Sequence, residues 1–208
     1  DIVHSQGARA DFFARVAAKF AGAPVVVSTV PMPVEGFDVS PIRKLIYTAF
    51  NRFSERFVDR FMVVSDALEK MMIERHRIGP QRVVKIYNGI EEDEYCMADK
   101  EIVSRSSHFR KESGLDDDVP IIGVIGRLVW QKGFEYFIEA IPEVLNRFID
   151  ARFLVIGEGV LKDALEARHE RLKLGDKLIF TGFRSDIKDV LASVDIFVIP
   201  SLIEGLPM

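Results

Sequence analysis

The sequence predicts an α/β fold, with parallel sheets covered by helices and divided between two domains. Three observations carry that expectation. Short β-branched runs alternate with longer helical stretches along the whole chain. Several of the short runs are apolar throughout, as in parallel strands covered on both faces. The series is interrupted once, at Tyr87-Asn88-Gly89-Ile90, where a turn leads into the acidic stretch Glu91 to Glu94 and then a mostly polar helix. The expected domains are residues 1–95 and 96–208.

Taken in order, Asp1 to His4 reads as the end of a strand with nothing before it. Residues 25–30, 61–64 and 83–87 read as the following strands of the first domain. Helices are expected over 9–21, 41–59 and 66–76, with Pro41 in a first turn that accepts it and Ser65 as N-cap. The second domain opens on a helix over 100–113. Gly114-Leu115-Asp116-Asp117-Asp118 then leads into a clean series: strands 120–125, 151–156, 177–180 and 195–199, with helices 134–148, 161–173 and 185–193 between them. Both domains are expected to be Rossmann-like and incomplete, because no phosphate-binding first strand and turn precede Asp1.

Composition bounds the function. The 208 residues are 48% hydrophobic and 29% charged, enough for a real core. With 28 Lys plus Arg against 32 Asp plus Glu and a pI near 5.7, the chain lacks the footprint of a nucleic-acid binder. A single Cys96 excludes an internal disulfide and fits a reducing, cytoplasmic setting. No apolar run approaches the ~18 residues of a membrane span.

Five stretches carry chemistry. Gly126-Arg127-Leu128-Val129-Trp130-Gln131-Lys132-Gly133 lies between an apolar strand and an amphipathic helix. Two cations beside a helix N-terminus suit a pyrophosphate, Arg127 as a bidentate fork and Lys132 as a point charge. Two solvated surface cations are an equal reading. Ile156-Gly157-Glu158-Gly159 lacks the third Gly of a dinucleotide fingerprint, since Lys162 stands there, and a plain tight turn reads better. Glu204-Gly205-Leu206-Pro207 offers a carboxylate for sugar hydroxyls and backbone N–H groups for a phosphate, although on chemistry alone a solvated loop leads. Asp116-Asp117-Asp118 contains a D-x-D but reads as a solvated linker, and the four scattered histidines form no metal site. In the helix beginning at Pro41, the residues Ile42, Leu45, Ile46, Ala49, Phe50, Phe53 and Phe57 form one stripe beside Arg43, Lys44, Arg52, Arg56 and Arg60. A core helix with a wet face is the favoured reading, and peripheral contact with an anionic membrane is the alternative.

In this order and at these spacings, the stretches resemble glycosyltransferase family 4, the retaining GT-B enzymes. The resemblance runs through Asp1-Ile2-Val3-His4-Ser5, residues 58–65, Ile86-Tyr87-Asn88-Gly89-Ile90, the Gly126–Gly133 motif, residues 153–159, Phe180-Thr181-Gly182-Phe183 and residues 195–207. It implies two domains of the GT-B type facing each other across a cleft. It implies metal-independent transfer of a sugar, with retention, from a UDP-, GDP- or ADP-linked donor to a saccharide or lipid-linked acceptor, in the setting of cell-envelope polysaccharide. The nucleotide-sugar is a substrate, and no cofactor is implied.

By the same resemblance Arg127 and Lys132 bind the donor diphosphate. Glu204 contacts the donor sugar, and Gly157, Arg184, Gly205 and Leu206 complete the donor set. Glu204, Arg127 and Lys132 are the expected catalytic residues. His4 and Gln6 face the acceptor. The family often carries His where this chain has Gln6, and again in the loop that here has Pro31. The second Glu of the family's E-x7-E motif would fall four residues past Met208, so the resemblance implies a fragment, inactive alone. The rival readings are a nucleotide-sugar epimerase of the same fold and a non-catalytic binding module.

Overall fold

A computed structural model of the protein describes residues 1–32, 40–96 and 98–206. It holds two compact units, Asp1–Ile90 together with the residues from Ile203 onward, and Glu91–Leu202. The division falls after Ile90, in a stretch without regular structure, five residues before the boundary read from the sequence, and it counts Glu204, Gly205 and Leu206 with the first unit.

The first unit is a parallel sheet in the order β1-β2-β3-β4. Its strands are β1 (Ile2–Gln6), β2 (Val25–Val30), β3 (Arg60–Val63) and β4 (Val83–Lys85), joined by helices α1 (Ala8–Phe20), α2 (Pro41–Ser54) and α3 (Asp66–Glu74). Ile2 pairs with Val25 and Val27 with Arg60. Val26, Phe61, Val63, Leu68 and Met72 are at the centre of its apolar core. Ser65 caps α3 as expected, its side chain accepting from the Leu68 N–H at 3.4 Å.

The second unit begins with two helices, α4 (Glu92–Tyr95) and α5 (Asp99–Glu112). Strands β5 (Ile121–Ile125), β6 (Arg152–Ile156), β7 (Leu178–Gly182) and β8 (Ile196–Phe197) follow, with α6 (Phe134–Leu145), α7 (Lys162–Arg171) and α8 (Ile187–Ser193) between them. The order is β7-β6-β5-β8, all parallel. The chain therefore winds outward from β5 through β7 and returns to the other side of β5. Gly123 sits where β5 must pass Val194: a Cβ there would stand 2.8 Å from a Val194 methyl. One face of the sheet packs on Phe134, Phe137, Ile138 and Ile141 of α6.

The two units begin a strand in the same way. Asp59, just before β3, accepts the Val26 N–H at 2.7 Å, and its own N–H donates to the Val26 carbonyl. Asp195, just before β8, does the same with Ile121, at 2.7 Å and 2.9 Å. Each carboxylate satisfies a backbone donor at a strand start, where the ladder has no carbonyl to offer.

Two expectations are corrected. The helix beginning at Pro41 is not a core helix with a wet face. It ends at Ser54, a 3-10 turn follows over Glu55–Phe57, and the faces are reversed. Ile42 and Leu45 are 73% and 71% exposed, with Ile46, Phe50 and Phe53 also exposed, while Asn51, Ser54 and Glu55 are buried. The cause is Arg15 of α1, which is itself buried. Its guanidinium donates to Asn51 Oδ1 at 2.8 Å, Ser54 Oγ at 3.2 Å and Ser28 Oγ at 2.6 Å, and pairs with Asp11 at 3.3 Å. A buried cation without acceptors costs several kcal/mol, so α2 turns its polar residues inward.

The second correction concerns residues 195–199, read as a buried strand. Only Ile196–Phe197 pair, and Ile196, Phe197 and Ile199 are exposed. Among the described residues β8 pairs with β5 alone and so forms an edge of the sheet, which leaves these side chains more open than those of the inner strands.

Candidate functional site

The strand order of the second unit reverses between β5 and β8. In open α/β sheets the crevice at the carboxyl ends of the strands flanking such a reversal takes the ligand. Three chain segments leave the sheet there: the loop after β5, the turn after β6 and the segment after β8.

Glycines knit the three together. The Gly126 N–H donates to the Ile156 carbonyl at 3.0 Å, and the Leu128 N–H to the Glu158 carbonyl at 2.9 Å. A Cβ on Gly157 would collide with the Gly126 carbonyl, and one on Gly159 with the Leu128 backbone. Gly133 adopts the left-handed conformation at φ 66° that begins α6, and a Cβ there would strike the Pro200 carbonyl. The Leu202 N–H completes the set by donating to the Gln131 carbonyl at 2.7 Å. So Gly157 is more than a plain tight turn: it allows two backbones to touch.

On this frame Arg127 is exposed and Lys132 half-buried. The Lys132 stem runs past Gly126, its Cδ 3.7 Å from where a Cβ would stand. The structure thus gathers Arg127, Lys132 and Gly157 on one set of interlocked loops within the second unit, beside the start of α6. Glu204 is half-buried. Its neighbour Gly205 fits so closely that a Cβ would collide with the Pro31 carbonyl, and Leu206 packs on the core of the first unit. Pro207 lies outside the described residues.

Arg184 is placed differently. Its guanidinium bonds Glu112 at 2.8 Å and 3.2 Å and Asp186 at 2.8 Å, and lies 5.3 Å from the centre of the Phe109 ring. It ties the end of α5 to the start of α8. The hydrogen bonds to Arg184 hold the Glu112 and Asp186 carboxyls below their usual range, and the same bonds push the guanidinium further up.

His4 and Gln6, the residues expected to face an acceptor, alternate along β1 and both are exposed. His4 Nε2 lies 2.8 Å from Thr29 Oγ1 on the neighbouring strand. Ser5, between them, points to the opposite face and joins the buried Arg15 cluster through Ser28. That cluster was not singled out in the sequence. Its one visible signal was Asp11 and Arg15 at helical spacing, opposite Ser28 and Thr29 in a strand of valines. A cavity of ≈ 170 Å³ is lined by Gly7, Asp11, Arg15, Pro31, Glu55 and His76 among others. His76 Nδ1 meets Glu55 Oε1 there at 2.6 Å. Among the described residues no group of three or more His, Cys, Asp or Glu could hold a metal ion.

Residues 1–94 match the family described as Glycosyltransferase Family 4, and residues 119–208 match Glycosyl transferases group 1. The chain belongs to the family 4 glycosyltransferases. An Escherichia coli UDP-Gal:alpha-D-GlcNAc-diphosphoundecaprenol alpha-1,3-galactosyltransferase is 29% identical over 100% of this chain and 54% of its own length. Alpha-D-kanosaminyltransferase of Streptomyces kanamyceticus is 27% identical over 95% of this chain and 52% of its own. The chain thus spans about half the length of these curated relatives.

Among solved structures, HepE of Anabaena in complex with UDP superposes with a TM-score of 0.77, at 20% identity, over 97% of this chain and 53% of that one. The catalytic domain of starch synthase IV from Arabidopsis thaliana, bound to ADP and acarbose, gives 0.74 at 18% identity, over 100% and 53%. The architecture of this chain is of the GT-B class, two Rossmann-like α/β units.

Proposed function

We propose that this glycosyltransferase moves a hexosyl group from a nucleoside-diphosphate sugar to a saccharide or lipid-linked acceptor, with retention and without a metal. The observation that carries the reading is the interlocked loop set at the strand reversal, which presents Arg127 and Lys132 beside the start of α6. Breaking a sugar–phosphate bond leaves negative charge on the departing diphosphate. Fixed cations and a helix N-terminus stabilise that charge without reorganising. Arg127 serves as the fork for phosphate oxygens and Lys132 as the point charge. Glu204 is assigned to the donor sugar, His4 and Gln6 to the acceptor, and retention to attack on the face from which the diphosphate leaves.

The names of relatives support both nucleotide-sugar donors and lipid-linked acceptors: one uses UDP-Gal and a diphosphoundecaprenol. The solved relatives hold UDP or ADP, so uridine and adenosine diphosphates are the first donors to try, with GDP as a third. The setting is cell-envelope polysaccharide assembly in the cytoplasm, a placement that fits the single Cys96.

The test is a thermal shift of the chain with UDP, GDP and ADP, followed by turnover with the matching sugars in the enzyme that carries it. A ligand at about 100 times its Kd stabilises by roughly 2.7 kcal/mol, and Arg127→Ala and Lys132→Ala should each remove the shift. In turnover each should cost about 10²–10³ in rate. Normal turnover in both variants would refute the site. Conversion of the donor without an acceptor would assign the chain to epimerisation, and binding without any conversion to a non-catalytic module.

A further inference from the structure

Asn88 and Gly89 belong to a motif to which the donor and acceptor assignments give no task. The chain holds three asparagines, Asn51, Asn88 and Asn146, and their surroundings differ in what decides whether an asparagine keeps its amide. The amide is lost when the backbone nitrogen of the next residue turns back on the side-chain carbonyl, which needs a backbone free of regular structure and room at that nitrogen. Two of the three are held. Asn51 is buried in α2, its Nδ2 donating to Glu55 Oε1 at 3.0 Å and its Oδ1 accepting from Arg15 at 2.8 Å. Arg52 follows inside the same helix, where each backbone N–H is bonded to the carbonyl four residues back. Asn146 ends α6, and the N–H of the next residue, Arg147, donates to the Val144 carbonyl at 3.0 Å.

Asn88 is the opposite case. It and Gly89 are exposed, in a stretch without regular structure between β4 and α4. Among the described residues, neither the Asn88 amide nor the Gly89 N–H has a hydrogen-bond partner. The backbone does not require a glycine here either. Gly89 lies outside the left-handed region, and an added Cβ would meet nothing within 4 Å. Its missing side chain is therefore no demand of the fold, and it leaves the Gly89 nitrogen free to reach the Asn88 side chain.

We propose that Asn88-Gly89 is a site of spontaneous deamidation through a cyclic imide. The Gly89 backbone nitrogen gives its proton to solvent base and bonds to Asn88 Cγ. The Cγ–Nδ2 bond breaks, and the nitrogen leaves as ammonia, taking a proton from solvent. Water then opens the imide at either carbonyl. Opening at the Asn88 main-chain carbonyl leaves the chain running through Cβ and Cγ, an isoaspartate; opening at Cγ gives aspartate. The sum is one water in and one ammonia out, with no oxidant or cofactor. Either product sets a new carboxylate next to the acidic stretch that begins at Glu91, and isoaspartate also lengthens the backbone by one atom. The change falls between Tyr87, whose hydroxyl donates to Asp66 at 3.1 Å, and the start of α4 at Glu92, where the chain leads from the first unit into the second. This inference stands on that stretch and does not depend on the transfer reaction.

The experiment is incubation of the folded chain in mildly alkaline and in mildly acidic buffer, followed by intact mass measurement and peptide mapping. Conversion should raise the mass by the difference between a hydroxyl and an amino group and should fall on the peptide that contains Asn88. In water enriched in heavy oxygen the product should carry one label. The reaction should run faster in the alkaline buffer, where the attacking nitrogen loses its proton more often, and a methyltransferase specific for isoaspartate should mark the product. Gly89→Val should give no product over the time in which the native chain is half converted, with the melting temperature unchanged because the side chain has room. Asn88→Gln keeps an amide but needs a larger ring, so it should be equally silent, and it carries the test should the valine variant fail to fold. A native chain that stays unchanged would overturn the proposal. So would conversion at Asn51 or Asn146 at the same rate as at Asn88, or conversion of either variant at the native rate, because the neighbouring glycine nitrogen would then not be the attacking group.

Discussion

Helices α2 and α6 are both amphipathic, and they face opposite ways. In α6 the apolar residues Phe134, Phe137, Ile138 and Ile141 are buried against the sheet, while Glu135 and Glu139 reach out to Arg168 and Arg171 of α7. In α2 the polar residues Asn51 and Ser54 are buried and the apolar stripe is outside. A stripe at helical spacing establishes that a helix has two faces. Which face goes inward depends on what waits there. Under α6 it is the apolar surface of β5 and β6. Under α2 it is a guanidinium that needs acceptors.

The comparison breaks most sharply at Arg15. If that cation is what turns α2 around, Arg15→Ala should destabilise the first unit by about 3–5 kcal/mol, the usual cost of removing one partner from a buried ionic cluster. Chemical denaturation followed by fluorescence or circular dichroism would measure it, and a loss below about 1 kcal/mol would mean that the polar face is buried for another reason.

Next in size is the contrast between the two apolar stripes. Ile138→Ala in α6 should cost about 2–5 kcal/mol through the cavity it leaves. Leu45→Ser in α2 should stay within about 0.5 kcal/mol, as for a surface change. Equal losses at the two positions would erase the distinction drawn between the helices.

The smallest effect concerns charge held outside rather than inside. Arg184 depresses the carboxyls of Glu112 and Asp186. Groups with a depressed folded pKa contribute stability that is complete above their unfolded value and is lost as pH falls through the folded one. Arg184→Gln should therefore lower the melting temperature by at most a few degrees at neutral pH. That difference should shrink toward zero as pH drops below the ordinary carboxylate range of about 4. A difference unchanged in acid would assign Arg184 a role in packing on Phe109 instead.

Much of the fold was legible because parallel strands buried on both faces leave continuous β-branched runs, as in Val25 to Val30 and Phe153 to Ile156. The placing of two cations on the loop after β5 was legible for a related reason. Arg127 and Lys132 follow directly on a strand, and glycines bracket them. The function of Gly157 was not legible, since a turn glycine and a glycine that admits a neighbouring carbonyl have the same one-letter signature. The Arg184 tie was equally hidden: Glu112 is 72 residues away, and nothing local announces the pairing.

The alternation of strands and helices, the cap at Ser65, the first-turn place of Pro41 in α2 and the order of motifs that marks the family were all determined by the sequence alone. Each rests on local periodicity or on neighbours a few residues apart, so each survives being read along a line. Tertiary structure decided the rest. It chose the strand order β7-β6-β5-β8, which puts the loops after β5 and β8 side by side. It closed Gly133 on Pro200 and Gly157 on Gly126, and it turned α2 inside out around Arg15. These outcomes depend on which groups meet across long stretches of chain, and there the need to satisfy one buried charge outweighs the pull of an apolar stripe toward the core.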